Sequence, residues 1–482
     1  MSFFNRYKNR SVINSDRFDR RRFNQLYGMS DALQKLNEFE KPYPSFESLL
    51  GDIWGSLYKM RPKLMENTEV PDDLKTNHSF MERIMTDEKF DNYRKYTKLD
   101  ELSSILATTK FGAKTKEWLE EQREENEKLN EYMNELQALQ KQLQKQEKQH
   151  KAGQSNDQLQ EDLQEAKENI HKEVDQQIQQ NGGSLSKKIS QAFQETKETN
   201  ERVKNLVGGT QAGSGETEIK KVPLKDQLQL AEKISNQEHF KAIAEWAGRF
   251  KRIARMKQKS AHSDSVERSG VRLGNDIEKL LPSELALYSH GSTRLDFLRR
   301  YVERQTMTYD TKAKETLGKG PIILCLDQSG SMSDLDAQSK GFALALMSVA
   351  KKQKRDFCFI PFSRKVEVHR YPKGKIDTRE MIRISESFLD GGTDFMLPLK
   401  KSLEVINESR FNKADIVFVT DGEAHILDTF TNDFLKVKHE KEFSVLSLLI
   451  RGDRTGTLEK FSDRVVQIKN LNDTGSYRAF EI

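Results

Sequence analysis

Four short apolar runs constrain this chain more than anything else in it. They are PIILCLD from Pro321, DFCFIPF from Asp356, ADIVFVTD from Ala414 and FSVLSLLI from Phe443. Each is rich in β-branched and aromatic residues and too short for a buried helix. Helical patterns lie between them, such as AQSKGFALALMSVAKKQK and DTREMIRISESFL. Strands that alternate with helices pair in parallel, and runs apolar throughout belong to a sheet covered on both faces. We therefore expect an α/β doubly wound domain at 319–482, a normal size for one domain.

The rest of the chain has another character. Charged residues make up 32% of the 482 and hydrophobic ones 35%, which suggests a long solvated helical region. Residues 1–110 read as a helical N-terminal domain, with Leu49, Ile53, Trp54, Leu57 and Met60 on one helix face. Residues 111–207 read as a coiled-coil-like helical segment. Leu129, Tyr132, Leu136, Leu139 and Leu143 follow heptad spacing, and Leu159, Leu163, Ala166, Ile170, Val174 and Ile178 resume it after AGQSND. The two arms form an intramolecular hairpin, pair with another chain, or serve as a solvated spacer. Residues 208–222, containing GGTQAGSGET, read as a flexible linker, and 223–318 as a helical connector. Its stretch 249–259 is basic and amphipathic. We read it as a solvated helix face, with peripheral membrane or acidic-partner contact as the alternative.

A net charge of +5 against 155 charged groups gives no argument for nucleic acid. Cys325 and Cys358 both fall in apolar strand runs and read as buried thiols of a reducing compartment. No apolar stretch approaches membrane-spanning length, and the N-terminus lacks a signal-peptide core, so we expect a cytoplasmic protein.

The chemistry-bearing residues gather where such sheets bind ligands, at the carboxyl ends of the strands. The first run ends in Asp327, followed by Ser329 and Ser331. FLDGGTDF places Thr393 and Asp394 in a loop whose glycines, Gly391 and Gly392, let backbone come close. IVFVTDGE ends in Thr420 and Asp421. Oxygen donors without His or Cys suit a hard cation, Mg²⁺ first and Mn²⁺ next. Asp327-x-Ser329-x-Ser331, then Thr393, then Asp421, resembles the metal-ion-dependent adhesion site (MIDAS) of von Willebrand factor type A domains. That resemblance implies that Ser329, Ser331 and Thr393 ligate the metal, that Asp327 and Asp421 act partly through water, and that a partner's Asp or Glu completes the shell.

The stretch LGNDIEKLLPSELALYSHGSTRLDFLRRYVERQTMTYD, just upstream, resembles the bacterial ViaA-like proteins. In that family a helical region precedes a C-terminal von Willebrand type A domain, and the protein works with a MoxR-family AAA ATPase. The resemblance implies an ATPase partner and no enzymatic activity of this chain. Its function is then that of a metal-dependent protein–protein adaptor that regulates such an ATPase or recruits substrate to it. The alternative is a scaffolding coiled-coil protein whose metal only stabilises the fold. A metal-dependent hydrolase has little to stand on. There is no G-x-x-x-x-G-K-[ST] loop, no HExxH pair and no Cys/His cluster with zinc spacing. His425 is the one histidine near the site and reads as a solvent-facing loop residue. RGD at Arg451 to Asp453 reads as chance.

Overall fold

The computed structural model describes residues 11–38, 43, 45–148, 157–210, 214–264, 268–277, 280–311, 320–411 and 413–481. The chain clusters into two compact units. One comprises 1–204 and 219–241, the other 205–218 and 242–482.

The first unit is helical, as expected. Its opening helix, Arg17–Tyr27, starts with a capping box in which Asp16 and Asp19 each accept from the other's backbone N–H. Helix Phe46–Tyr58 buries Leu49, Ile53, Trp54 and Leu57. Met60, expected on the same face, is exposed. The helix has ended at Tyr58, with Lys59 extended, and Pro62 disfavours helical backbone just before it. The heptad stretch forms the helices Glu127–Lys148 and Asp157–Val207. In the first, Leu129, Met133 and Leu136 are buried, while Tyr132, Leu139 and Leu143 are half-buried. In the second, Leu163, Ala166, Ile170, Val174 and Ile178 are buried. Most of AGQSND lies outside the described residues. The long second helix carries one non-helical residue, Asn181, just before two glycines. There Asn181 donates to Gln122 Oε1 at 2.6 Å and Trp118 donates to Ser184 Oγ at 2.8 Å.

In the second unit a two-stranded antiparallel ribbon, β1 (Arg268–Gly274) and β2 (Thr306–Thr311), brackets the helices Pro282–Ser289 and Arg294–Val302. A six-stranded sheet follows. Its strands are β3 (Ile322–Asp327), β4 (Phe357–Phe362), β5 (His369–Tyr371), β6 (Asp415–Thr420), β7 (Ser444–Ile450) and β8 (Arg464–Ile468), in the order β5-β4-β3-β6-β7-β8. All pairings are parallel except β4 with β5. Pro361 is tolerated inside β4 because β5 pairs only with Phe357 to Phe359.

Alternate residues of each strand feed two cores, one per face. Ile322, Leu324, Leu326, Phe357, Phe359, Val417 and Val419 line the first. Ile323, Cys325, Cys358, Ile360, Ile416 and Phe418 line the second. Helix Asp336–Gln353 covers the first face and Met396–Ile406 the second. Both cysteines are free and buried, and burial pushes the Cys325 thiol up to about 12.

The basic stretch 249–259 lies in helix Glu238–Asp264. Its apolar residues Phe250, Ile253 and Ala254 belong to the first core. That face therefore covers the sheet and is not offered to a lipid surface. Lys251 is buried in the same helix, and burial, aided by the charge of Lys351, lowers its ammonium to about 7. It donates to the carbonyls of Asn205 (2.8 Å), Leu206 (2.8 Å) and Gly208 (2.6 Å). In the stretch read as a linker, 211–213 lie outside the described residues, and a short helix, Ser214–Ile219, follows. Among the described residues no helix is long and apolar enough to cross a membrane.

Candidate metal centre

Chain order and strand order part company at β3. The chain leaves β3 for β4 on one side, and β6 lies on the other. This is the switch point of the sheet, and the carboxyl ends of β3 and β6 meet there side by side, Leu326 opposite Val419. Asp327 is the last residue of β3 and Thr420 the last of β6.

Asp327 is almost wholly buried, and both carboxylate oxygens are engaged. Oδ1 accepts the Ser329 N–H at 2.9 Å, and Oδ2 accepts the Thr420 hydroxyl at 2.5 Å. Burial raises its pKa above the ordinary carboxylate value. The bonds from Thr420 and Ser329 oppose that rise, and the charge of Asp421 adds to it. Ser329 Oγ lies 3.2 Å from Ser331 Oγ, and Ser331 donates to Asp421 Oδ1 at 3.0 Å. Asp327, Ser329, Ser331 and Asp421 thus form one connected set of oxygens across two adjacent strand ends.

The glycine-rich loop closes over it. Gly330 N–H donates to the Gly391 carbonyl at 2.9 Å. Gly391 has φ +97°, where any side chain would be strained. At Gly392 a Cβ would come within 2.8 Å of Arg364 Nε. Thr393 follows, its Oγ1 4.0 Å from where a Gly422 side chain would begin. No hydrogen bond commits that hydroxyl among the described residues. Asp394 is turned elsewhere. Its carboxylate accepts from the backbone N–H of Met396 at 2.8 Å and of Leu397 at 3.4 Å, in the first turn of helix Met396–Ile406.

The donor set fits a hard divalent cation. Two serine hydroxyls and two carboxylates are linked there with no nitrogen or sulfur among them, the two carboxylates are close enough for one to perturb the other, and Thr393 adds a hydroxyl near Gly422, the residue after Asp421. Among the described residues no group of three or more His, Cys, Asp or Glu could hold a metal, so hydroxyls are essential to any such site here. His425 is exposed. The RGD arginine, Arg451, pairs with Asp334 at 2.6 Å.

Of two further neighbours, one shows its role only in the fold and the other is not marked in the sequence at all. Thr420 was visible as the residue before Asp421, but only the β3–β6 pairing shows that its hydroxyl holds Asp327. Gln328 is buried, and neither polar atom of its side chain has a hydrogen-bond partner. Nothing in the spacing marks it.

A family model described as von Willebrand factor type A domain matches residues 322–423, a span that includes all five candidate residues. The chain is 28% identical to "Uncharacterized protein MJ0811" of Methanocaldococcus jannaschii over 483 residues, covering 98% of this chain and 99% of that protein. It is 30% identical to "Uncharacterized protein MJ0077" of the same organism over 272 residues, 56% of this chain and 69% of that one. "Regulatory protein ViaA" of Proteus mirabilis is 25% identical over 290 residues, 54% of this chain and 58% of that protein. Among solved structures, a von Willebrand factor type A protein from Catenulispora acidiphila matches with a TM-score of 0.28 and 14% identity, over 36% of this chain and 43% of that one.

Proposed function

Because the chain belongs to the von Willebrand factor type A domain proteins of the ViaA-like kind, we propose that it is a metal-dependent adaptor that regulates a MoxR-family AAA ATPase or recruits substrate to it. The observation that carries this reading is the oxygen set at the β3–β6 switch point, where Ser331 bridges from the Ser329 hydroxyl to Asp421. Ser329, Ser331 and Thr393 would hold Mg²⁺ or Mn²⁺ through hydroxyls, with Asp327 and Asp421 supplying negative charge. When bound, the ion supplies a positive centre that a partner's Asp or Glu can complete, a charge-assisted contact partly withdrawn from water.

The chain's own residues prepare that contact. Thr420 and the Ser329 N–H fix both oxygens of Asp327, so its carboxylate needs no reorganisation. The Gly330–Gly391 bond holds the loop that delivers Thr393. The name of the Proteus mirabilis relative, a regulatory protein, supports a regulatory role over a catalytic one.

Isothermal titration of the intact chain with MgCl₂ tests the metal assignment. We expect saturable binding that Asp327→Ala abolishes and Thr393→Ala weakens by about tenfold, one charge-assisted ligand being worth roughly 1.5–3 kcal/mol. Equal affinity in wild type and Asp327→Ala would overturn the assignment.

A further inference from the structure

The ribbon of β1 and β2 is patterned the wrong way round for a solvated hairpin. Side chains alternate faces along a strand. Register places Val271 opposite Tyr309 and Leu273 opposite Met307, so these four share one face. Arg272 opposite Thr308 and Gly274 opposite Thr306 share the other. The hydroxyl face is the buried one. Thr306 and Thr308 are 0% exposed and donate to the carbonyls of Gly274 and Arg272. The apolar face is the more open one, with Val271 55%, Leu273 64% and Met307 45% exposed and Tyr309 half-buried. Apolar residues left open on a two-stranded ribbon are surface that a covering chain would bury.

The two edges of the ribbon differ. On the β2 side, the Met307 carbonyl accepts from Leu281 N–H at 3.1 Å and its N–H donates to Glu284 at 3.1 Å. Glu284 is itself buried and paired with Arg300. That edge is closed. β1 pairs with β2 alone among the described residues, so its outer edge carries unpaired backbone groups. Arg272, in the middle of β1, is exposed and has no carboxylate partner among the described residues.

We propose that β1 receives an extended segment of a partner protein in which apolar and acidic residues alternate. Backbone pairing would continue the ribbon. The apolar residues of the incoming strand would extend the row of Val271 and Leu273, and a carboxylate on its opposite face would meet Arg272. The period of two fixes this chemistry, since apolar neighbours on one face and the Arg272 cation on the other call for alternation in the added strand. This surface shares no residue with the strand-end oxygens and requires no metal.

The test uses the intact chain and a fluorescently labelled ten-residue peptide of alternating valine and glutamate, read by anisotropy. We expect saturable binding that Arg272→Glu and Leu273→Asp each weaken by about tenfold or more, with circular dichroism unchanged. EDTA should leave it unaltered, which separates failure here from failure of the metal assignment. A valine–lysine peptide, and a valine–glutamate peptide N-methylated at alternate residues, should not bind. Lack of saturable binding would overturn the proposal, as would equal binding of the glutamate and lysine peptides. So would a dimer in sedimentation velocity that Leu273→Asp abolishes and Arg272→Glu does not, because a second copy would then be what covers the face.

Discussion

Asp52 shows how far one buried carboxyl can shape the behaviour of the helical unit. It is enclosed in helix Phe46–Tyr58, and burial raises its pKa to about 7, although the Ser11 hydroxyl and the Val12 N–H both donate to it. A folded-state value above the ordinary carboxyl value of 3.8 means that the folded chain holds this proton more tightly than the unfolded one. Its contribution is complete below about pH 4, declines as pH rises toward 7, and is flat beyond. At ~1.4 kcal/mol per pKa unit the swing is at most about 4 kcal/mol. Asp52→Asn keeps a neutral side chain there at every pH. Urea unfolding at pH 4.5, 6 and 7.5 should therefore show wild type losing stability relative to the variant across that window. A constant difference would mean that Asp52 does not titrate there. At this scale the spacing of oxygen-bearing residues pointed to Asp327, Ser329, Ser331 and Asp421, which hydrogen bonds and mutual charge connect, and to Thr393 in the adjoining loop. It was silent on Asp52, because a lone aspartate in an amphipathic helix looks solvated until its neighbours are known.

Among elements, the crossing of helices Asp336–Gln353 and Glu238–Asp264 governs how the first sheet face is covered. Gly341 sits at the crossing, where an added Cβ would lie 2.6 Å from Trp246 Cβ and 2.8 Å from the backbone nitrogen of Ala247. Backbone cannot give way as a flexible side chain can, so Gly341→Leu should destabilise the chain by roughly 1–3 kcal/mol or more. The urea midpoint reads this directly, and an unchanged midpoint would place the two helices farther apart than described. The parallel strands were legible because their apolar runs leave no other fold. The ribbon, β5 and β8 were not. β5 has three residues and β8 exposes Arg464 and Gln467, so neither carries a continuous apolar signal. The basic helix read as solvated because its charges dominate by count, yet Phe250, Ile253 and Ala254 recur at helical spacing on one side and pack on the sheet.

At the scale of the whole molecule, linear reading assigns each stretch to one domain in turn. The chain instead contributes two stretches to each compact unit, with 205–218 belonging to the unit that holds the sheet. A glycine-rich composition marks conformational freedom, but it cannot reveal that Lys251 takes hold of the carbonyls at its start, those of Asn205, Leu206 and Gly208. The proposed docking of a larger partner through metal at the β3–β6 strand ends is likewise a property of the whole molecule. The most direct test is the affinity of the intact chain for a purified MoxR-family AAA ATPase from the same cell, measured by biolayer interferometry in Mg²⁺ and in EDTA, for wild type and Asp327→Ala. We expect EDTA and Asp327→Ala to weaken binding to a similar extent, by about tenfold or more, with no further loss when the two are combined. Unchanged affinity under both conditions would contradict the account and move the interface to the helices.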